Sequence, residues 1–476
     1  MYNQFRKTKI ICTLGPVSQS TEMVEKLAKA GMNIVRLNFS HGTHEEQGAR
    51  IDTVREINDR AGYNLGIMLD TKGPEIRCGE MENGALHFKT GDVVNVVRDV
   101  VLGNNQRFHI TCPEMYDDIV PGNYLLIDDG KMRLTVTDIP ENGVLTCRVE
   151  NSGVIKTRKG VNVPNVKLSM PFISEKDDQD LRFGCRKDVD FIAASFVRRA
   201  EDVTAIRKIL LDEGKRKIQI IAKIENQEGY DNLESILSVA DGVMVARGDL
   251  GVEVSTQLVP IYQKSIIKKA NEIGKPVITA THMLESMMAN PRPTRAEASD
   301  VANAVLDGSD CIMLSGETAA GEYPIEAVTT MDIIARAMEE LLPYRERLDA
   351  AIRSSNKTVQ DAIGISVADA ALQLDKVKAI IAFTQGGSTA RRISKFRPCV
   401  PIFAVTFTKS VQRKLETSWG VIPIFSDVQN AMTNDDELAS IIAKDNGLKE
   451  GDFVIITAGY PTGEGTANMM KIVEVK

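Results

Sequence analysis

The sequence lacks the features of a secreted or membrane protein. Its seven cysteines are odd in number and scattered without a C-x-x-C pair, so neither a disulfide framework nor a zinc site follows. No stretch approaches the roughly 18 apolar residues of a membrane span. Residues 1–9 carry charge where a signal peptide would need an apolar run. We therefore expect a cytoplasmic protein with reduced thiols.

An excess of positive charge is also missing. Acidic residues number 65 against 58 Lys and Arg, which gives a net charge of −7. This balance argues against a general nucleic-acid binder, and anionic substrates would need local groups of Arg and Lys. The 476 residues of the chain exceed what one hydrophobic core normally organises, so we expect two or three domains.

Eight short apolar runs are predicted to be buried strands that alternate with helices. The runs are Lys9–Leu14, Asn33–Asn38, Leu65–Asp70, Phe191–Ala194, Gln219–Ile224, Gly242–Ala246, Pro276–Ala280 and Cys311–Leu314. Eight such βα units predict an α/β fold, a (β/α)8 TIM barrel. A doubly wound open sheet is the alternative that the pattern leaves open.

Two further regions depart from this alternation. Residues 73–171 contain short alternating runs separated by glycine turns, which is typical of a small antiparallel β-barrel or sandwich. After about Leu342, a helix at Val359–Leu374 and four short strands indicate a smaller α/β domain. The predicted organisation is a barrel from 1–72 and 172–341, an inserted β-barrel domain at 73–171, and a C-terminal α/β domain at 342–476.

Polar side chains follow six of the eight predicted strands. They are Arg36, Asn38, Ser40 and His41; Asp70, Thr71, Lys72, Glu75 and Arg77; Lys223 and Glu225; Arg247, Gly248 and Asp249; Thr281 and His282; Ser315 and Glu317. The βα loops at the carboxyl ends of the strands build the site of such a barrel. Residues with a purely structural role would not need to be this polar, so a site is predicted at this rim.

Glu225 and Asp249 can converge from neighbouring strands. Two carboxylates, completed by substrate oxygens and water, suit Mg²⁺ or Mn²⁺. Lys223 lies two residues before Glu225 and faces the same side of an extended chain, where its ammonium offers positive charge to a phosphoryl group or an enolate. A plain Lys–Glu ion pair is the alternative. The turn that begins at Gly248 lets backbone N–H groups approach an anion, although an ordinary helix start would look the same.

Other rim residues suggest phosphate and cation binding. Arg36 and Arg77 are candidate phosphate clamps because guanidinium is a planar fork of donors. A mixed set of neutral and acidic oxygen donors suits a monovalent cation better than a second Mg²⁺, and a hydrogen-bonded turn network is the alternative. That set is Asn38, Ser40, Asp70 and Thr71. Neither His41 nor His282 has an evident orienting partner, so structural roles are the simpler interpretation.

Eight sequence blocks carry a resemblance to a known family. They are KIICTLGP (Lys9–Pro16), RLNFSHG (Arg36–Gly42), LDTKGPEIR (Leu69–Arg77), KIENQEG (Lys223–Gly229), MVARGDLGVE (Met244–Glu253), NPRPTRAE (Asn290–Glu297), DVANAVLDG (Asp300–Gly308) and LSGET (Leu314–Thr318). With these blocks in the family's order over nearly the whole chain, the sequence resembles the pyruvate kinases.

The resemblance implies a reaction and an architecture. The implied reaction moves a phosphoryl group from phosphoenolpyruvate to ADP, which yields pyruvate and ATP. The implied architecture is a catalytic barrel with an inserted lid and a C-terminal regulatory domain, assembled as a homotetramer. Mg²⁺ (or Mn²⁺) and K⁺ are the implied cofactors.

The resemblance also implies residue roles. Lys223 would stabilise the transferring phosphoryl group and the enolate, and Arg36 would meet the phosphate. Gly248, Asp249 and Thr281 would bind the substrate, and Thr281 or Ser315 would relay a proton through water. The remaining implied sets are Glu225 and Asp249 for the divalent metal; Asn38, Ser40, Asp70 and Thr71 for K⁺; and Asn38, His41, Arg77 and Lys159 for the nucleotide. Glu75 matches the form associated with dependence on K⁺. His282 departs from the family, which usually has Gln there.

A second site is expected in the C-terminal segment. Residues Thr384, Gln385, Gly386, Gly387, Ser388 and Thr389 open a helix after a strand. Glycines, hydroxyls and a helix N-terminus suit a phosphate, so we expect a sugar phosphate such as fructose 1,6-bisphosphate, with help from the loop Thr462–Thr466. A tight structural turn is the alternative. No extra domain is expected after Lys476.

Two other functions compete with this interpretation. A metal-dependent aldolase or lyase would explain Glu225 and Asp249 but not Arg77, Lys159 and the insertion. A non-catalytic sensor that binds an effector through the last domain would not need Lys223 or the carboxylates Glu225 and Asp249, and all three are present.

Overall fold

Two βα units and a third strand open the chain. The structure is a computed structural model that describes residues 5–141, 143–426, 435–459 and 467–476. Its first elements are β1 (Lys9–Thr13), α1 (Thr21–Ala30), β2 (Ile34–Asn38), α2 (His44–Ala61) and β3 (Gly66–Asp70). The Ser20 side chain accepts the N–H of Met23 at the start of α1, and Gly31 ends this helix with a φ of 121°, a value that favours glycine.

An all-β insertion with one short helix follows β3. Its elements are β4 (Ala85–Phe88), β5 (Val93–Val97), β6 (Arg107–His109), α3 (Met115–Asp118), β7 (Tyr124–Ile127), β8 (Met132–Glu141), β9 (Val144–Val149), β10 (Gly153–Lys156) and β11 (Val161–Asn162). Six strands form a curled sheet in the order β11-β7-β8-β9-β5-β6, and β10 pairs with β4. All neighbouring pairs are antiparallel except β5 and β6. The insertion encloses its own apolar cluster, which includes Val94, Phe108 and Leu134.

The βα alternation then resumes. Its elements are α4 (Glu175–Arg186), β12 (Phe191–Ala194), α5 (Ala200–Asp212), β13 (Gln219–Ile224), α6 (Gln227–Asp231), α7 (Leu233–Val239), β14 (Gly242–Ala246), α8 (Arg247–Glu253), α9 (Val259–Ile273), β15 (Val277–Ala280), α10 (Arg295–Asp307), β16 (Cys311–Leu314), α11 (Gly316–Ala319) and α12 (Pro324–Glu340). The strands predicted at Phe191–Ala194, Gln219–Ile224, Gly242–Ala246 and Cys311–Leu314 have the observed bounds.

Eight parallel strands close into a barrel. Their order is β1-β16-β15-β14-β13-β12-β3-β2, and β2 pairs back to β1. The interior is filled by side chains such as Ile11, Met68, Phe191 and Met244, so it is a packed core and not a pore. Closure confirms the predicted TIM barrel and excludes the open sheet.

The C-terminal segment forms a smaller α/β domain, as predicted. Its elements are α13 (Tyr344–Arg353), α14 (Val359–Gln373), β17 (Val377–Phe383), α15 (Ser388–Lys395), β18 (Ile402–Thr406), α16 (Lys409–Lys414), β19 (Val421–Phe425), α17 (Asp435–Asp445), β20 (Phe453–Gly459) and β21 (Ala467–Glu474). The sheet order is β19-β18-β17-β20-β21, with only β21 antiparallel to its neighbour.

The C-terminal domain packs beneath the barrel, where the barrel strands begin. Arg397 pairs with Asp310 just before β16, at 2.9 Å between Nη1 and Oδ1. Arg413 pairs with Asp190 just before β12, at 2.9 Å between Nε and Oδ1. This arrangement leaves the opposite rim of the barrel to the insertion. Among the described residues, no helix is long and apolar enough to cross a membrane.

Candidate active site

A buried ammonium group lies among carboxylates where three barrel strands end. Lys223 on β13 is 8% exposed. Its Nζ donates hydrogen bonds to Asp70 Oδ1 at 3.0 Å and to Ser195 Oγ at 2.7 Å, and it lies 3.1 Å from Glu225 Oε1. The Lys–Glu ion pair considered from the sequence is therefore present, inside a larger polar group.

The electrostatics of this group keep Lys223 charged. Burial disfavours its ammonium, but the carboxylates of Asp70 and Glu225 outweigh that cost and raise the pKa of Lys223 above its usual value. Burial also acts to raise the pKa of Asp70, yet Arg36 and Lys223 together hold that pKa below its usual value.

In Glu225, unlike Asp70, the effect of burial on the pKa prevails over the nearby positive charge. Burial raises the pKa of Glu225 to about 7, against the attraction of Lys223, and the nearby charge of Asp249 contributes in the same direction as burial. Glu225 accepts the backbone N–H of Phe196 through Oε2. Its buried Oε1 makes no hydrogen bond to any described residue. This oxygen is available to a further cationic partner.

Arg36 on β2 shares the Asp70 carboxylate with Lys223. Its Nε donates to Asp70 Oδ2 at 2.5 Å, and its Nη1 donates to Thr13 Oγ1 at 3.0 Å. Asp70 therefore fixes two cations at once, one through each of its oxygens. The strands β2, β3, β12 and β13 are consecutive in the barrel order, which brings these three side chains together.

Asp249 lies in the first turn of α8, half-buried. The Gly-Asp-Leu-Gly segment lies inside this short helix, which begins at Arg247, and the predicted longer helix, α9, follows it at Val259. Among the described residues no group of three or more His, Cys, Asp or Glu side chains is placed to hold a metal. Asp249 lies close enough to Glu225 for its charge to act on that carboxyl group.

Thr281, which follows β15, has an unusual backbone conformation. Its φ is 65°, and His282 after it has a φ of 55°. Positive φ at a β-branched residue costs of the order of 1–3 kcal/mol and is concentrated at functional sites. Thr281 Oγ1 accepts the N–H of Gly248 at 2.8 Å and donates to the Ala280 carbonyl at 2.7 Å. Arg247 holds this turn by donating to the Thr281 carbonyl at 2.7 Å.

The four oxygen donors expected to bind a monovalent cation make hydrogen bonds in two groups, Asn38 with Ser40 after β2 and Asp70 and Thr71 with Ser195 after β3. Asn38 Oδ1 accepts the Ser40 N–H at 3.0 Å. The Thr71 carbonyl accepts the Ser195 hydroxyl at 2.7 Å, and Thr71 Oγ1 accepts the Ser195 N–H at 3.1 Å. The turn network considered from the sequence therefore exists. A carbonyl or carboxylate oxygen has a second lone pair, so this does not exclude a cation.

A cavity of about 490 Å³ separates the insertion from the barrel mouth. Arg77, Lys159 and Asp249 are among its lining residues. Lys159 Nζ lies 2.8 Å from Asp128 Oδ1, and Arg77 Nε donates to Glu75 Oε2 at 2.9 Å. The insertion also contacts α8 directly, through Asn162 Nδ2 and Glu253 Oε1 at 2.7 Å. His41 is exposed on the rim.

The structure adds residues that the sequence reasoning missed. Ser195 directly follows β12, the fourth barrel strand. The expectation that site residues follow the ends of the barrel strands (the strand-end rule) would therefore have found it if it had been applied to this strand. Thr13 at the end of β1 carried the same signal. Glu317 instead has a local role, since its carboxylate accepts the N–H groups of Leu284 and Ser315.

The predicted effector loop lies between β17 and α15. Gly387 precedes α15 with a φ of 85°. Thr384 is buried, and its Oγ1 makes no hydrogen bond to a described residue; the same holds for Thr406 on β18 and Thr457 on β20. These three strands are neighbours in the sheet. The predicted contribution of Thr462–Thr466 lies outside the described residues.

Fold and site together define a class of protein: a TIM-barrel enzyme with an inserted domain over a strongly polar, cation-rich mouth. Comparison with known proteins agrees. The family "Pyruvate kinase, barrel domain" matches residues 5–328, and "Pyruvate kinase, alpha/beta domain" matches residues 361–473.

Comparison with individual relatives agrees with the family match. Pyruvate kinases of Staphylococcus haemolyticus and Geobacillus stearothermophilus are each 52% identical over 472 residues, which cover 98% of this chain and 80% of the relative. A crystal structure of a pyruvate kinase from Cryptosporidium parvum superposes with a TM-score of 0.95 at 40% identity, over 100% of this chain and 97% of that one. The chain belongs to the pyruvate kinase family. It is a phosphotransferase, and the family supports a divalent metal requirement.

Ser195→Ala tests whether the hydroxyl positions Lys223. Loss of the 2.7 Å bond frees the ammonium to shift towards the carboxylates, so we expect kcat to fall about tenfold with KM little changed. Steady-state kinetics measure this, with Ser195→Thr as the control that keeps a hydroxyl and restores most of kcat. Equal loss in both variants, or none in either, would contradict a positioning role.

Proposed function

We propose that the chain catalyses phosphoryl transfer from phosphoenolpyruvate to ADP, giving pyruvate and ATP. Membership of the family supports this, and the single observation that carries the residue roles is the buried Lys223 among Asp70, Glu225 and Ser195. The proposed division is a catalytic barrel at 1–72 and 172–341, a lid at 73–171 and a regulatory domain at 342–476. The protein is proposed to be cytoplasmic and homotetrameric.

Phosphoryl transfer needs positioning and charge neutralisation more than covalent help. Lys223 neutralises charge on the transferring group and on the enolate, because its neighbours keep it an ammonium. Arg36 presents its remaining donors to the substrate phosphate. Gly248 and Thr281 orient the substrate, and the strained turn at Thr281 fixes that orientation before the substrate arrives.

Glu225 and Asp249 fit a hard divalent cation. Both are oxygen donors, and the buried Oε1 of Glu225 lacks a hydrogen bond to any described residue. Mg²⁺ and Mn²⁺ usually take a few carboxylates and fill their other positions with substrate and water. Such an ion, when bound, supplies positive charge to the substrate oxygens.

Asn38, Ser40, Asp70 and Thr71 are the proposed K⁺ ligands. Their oxygens lie at the ends of the neighbouring strands β2 and β3, beside the Arg36–Asp70 pair. Asp70 would thereby contact K⁺ as well as the side chains of Arg36 and Lys223.

The nucleotide is proposed to occupy the cavity between lid and barrel. Arg77 and Lys159 line this space of about 490 Å³, and Asn38 and His41 lie on the adjacent rim. Closure of the lid would exclude water from the transferring group. The proton for the enolate would pass through water held by Thr281 or Ser315, whose Oγ is buried without a hydrogen bond to a described residue.

A sugar phosphate such as fructose 1,6-bisphosphate is the proposed allosteric effector at Thr384–Thr389. The loop lies outside the carboxyl ends of parallel strands, where open α/β sheets bind ligands. Three buried hydroxyls without hydrogen bonds to described residues, those of Thr384, Thr406 and Thr457, support a polar ligand there.

Lys223→Met tests the proposed reaction. It removes the ammonium at similar side-chain volume, so we expect pyruvate formation from phosphoenolpyruvate and ADP to fall by about a thousandfold or more. A coupled assay measures this, and circular dichroism checks the fold. The matched control is Lys264→Met on the exposed face of α9, which should keep full activity. Near-normal turnover in Lys223→Met would refute the assigned role.

Glu75→Lys tests dependence on K⁺. The new ammonium would lie close to Lys72 and Arg77, which Glu75 contacts at 3.1 and 2.9 Å, and would supply positive charge in place of the cation. We expect the ratio of the activity without K⁺ to the activity at saturating K⁺ to be about tenfold higher in the variant than in the parent protein. Titration of K⁺ in the coupled assay measures this, with Glu75→Gln as the neutral control. An unchanged titration would count against the K⁺ assignment.

Thr384→Val tests the effector loop. The swap breaks no hydrogen bond to a described residue, so a purely structural turn predicts no functional change. We expect activation by fructose 1,6-bisphosphate to need about tenfold more ligand, with kcat unaffected. Thr329→Val on α12 is the exposed control. Identical activation curves would argue for a structural turn.

A further inference from the structure

A second cavity lies between the underside of the barrel and α15. Its volume is about 270 Å³, which is enough for a small phosphorylated molecule and near the lower end for ligand pockets. The barrel contributes Gln219, Asp241 and Lys275, and α15 contributes Arg391 and Lys395. Arg392 and Ser388 complete the polar lining.

The cations that line this cavity are poorly neutralised. Lys275 donates to two backbone carbonyls, those of Leu237 and Ala240. Arg391 donates to the carbonyl of Gly386 at 2.8 Å. Carbonyl oxygens satisfy the donors of these side chains but do not cancel their charge. Buried cations of this kind are costly unless an anion pairs with them.

Lys395 is the most buried of the set. Its side chain is 1% exposed, and the nearest carboxylate oxygen, Asp361 Oδ2, lies 3.6 Å from Nζ. Its Nζ makes no hydrogen bond to any described residue. The same Asp361 is already paired with Arg392 at 2.8 Å, so one buried carboxylate serves two cations.

The acidic residue that lines the cavity is also engaged. Asp241 Oδ2 accepts from Arg207 at 2.5 Å and from the N–H of Ile220 at 2.8 Å. Burial lowers the pKa values of Lys275, Arg391 and Lys395, and it outweighs the opposing effect of Asp241 on Lys275 and Arg391 and of Asp361 on Lys395. An anion in the cavity would act in the opposite direction and stabilise all three charges.

We propose that this cavity is an anion site that binds a phosphomonoester and is distinct from the catalytic mouth. Phosphate oxygens match the donors of Lys275 and Arg391, which approach from the barrel and from the C-terminal domain respectively. A bound phosphate therefore joins the two domains. Only Ser388 is shared with the effector loop proposed above.

Three barrel strands connect this cavity to the active site. The barrel wall of the cavity consists of the starts of three adjacent strands. Gln219 is the first residue of β13, Asp241 directly precedes β14, and Lys275 lies two residues before β15. The opposite ends of the same strands carry the groups described above: Lys223 and Glu225, Gly248 and Asp249, and Thr281. A ligand that shifts these strands changes the geometry of the mouth, and its effect is read as a change in half-saturation by phosphoenolpyruvate.

Lys275→Gln tests the binding site, with inorganic phosphate as the calorimetric probe on the full chain. We expect the variant to bind phosphate about tenfold more weakly, while Lys268→Gln, an exposed neighbour on α9 with the same charge change, stays within about twofold of the parent. Lys275→Arg should retain binding. Unchanged affinity in Lys275→Gln would overturn the proposal. If Lys275→Gln fails to fold, Arg391→Gln and its conservative partner Arg391→Lys carry the same comparison.

Two further measurements identify the ligand and its place. Glucose 6-phosphate and AMP, a sugar and a nucleotide phosphomonoester, are each tested for competition with phosphate. Competition by either compound supports the proposal. If neither compound competes, the phosphomonoester assignment is overturned. Tungstate soaked into crystals should give an anomalous peak between Lys275 and Arg391. A peak only at Thr384–Thr389 would overturn this site and leave the proposed effector loop standing.

Discussion

The shared carboxylate of Asp70 is the interaction on which the site depends. It binds Arg36 through one oxygen and Lys223 through the other, so a single carboxylate pairs with two largely buried cations. Removal of that carboxylate would leave Arg36 without its carboxylate partner and Lys223 with Glu225 alone, in a low-dielectric environment where the cost of an unpaired charge is largest. Positive charge at the mouth thus depends on which strands are neighbours in the barrel as much as on any single residue.

The two other domains act on opposite faces of this arrangement. The insertion covers the carboxyl ends of the strands, contacts α8 through Asn162 and Glu253, and encloses the large cavity. The C-terminal domain is held to the opposite face by ion pairs such as Arg397–Asp310. Every barrel strand therefore runs between a catalytic face and an interdomain face, which gives ligand binding below the barrel a structural means of affecting chemistry above it.

Much of this arrangement was predictable from local sequence. Parallel strands buried on both faces are short apolar runs, so β12, β13, β14 and β16 were predicted to the residue. The strand-end rule found Lys223, Glu225 and Asp249. It was not applied to the fourth strand, so Ser195 was missed. Strand β21 was missed because it is an edge strand with mixed burial, and its pattern is weak. The proposed roles of the site residues stay predictions.

The sequence by itself determined the order of the eight barrel strands, most of their ends and the family, because hydrophobic periodicity and motif spacing are local properties of the chain. Only the tertiary structure decided that the sheet closes, that Asp70 is shared by two cations and that burial raises the pKa of Glu225. It also brought Lys275 and Arg391, 116 positions apart in the sequence, to one cavity. Pairing partners and burial depend on distances in space, which residues far apart in the chain acquire only on folding.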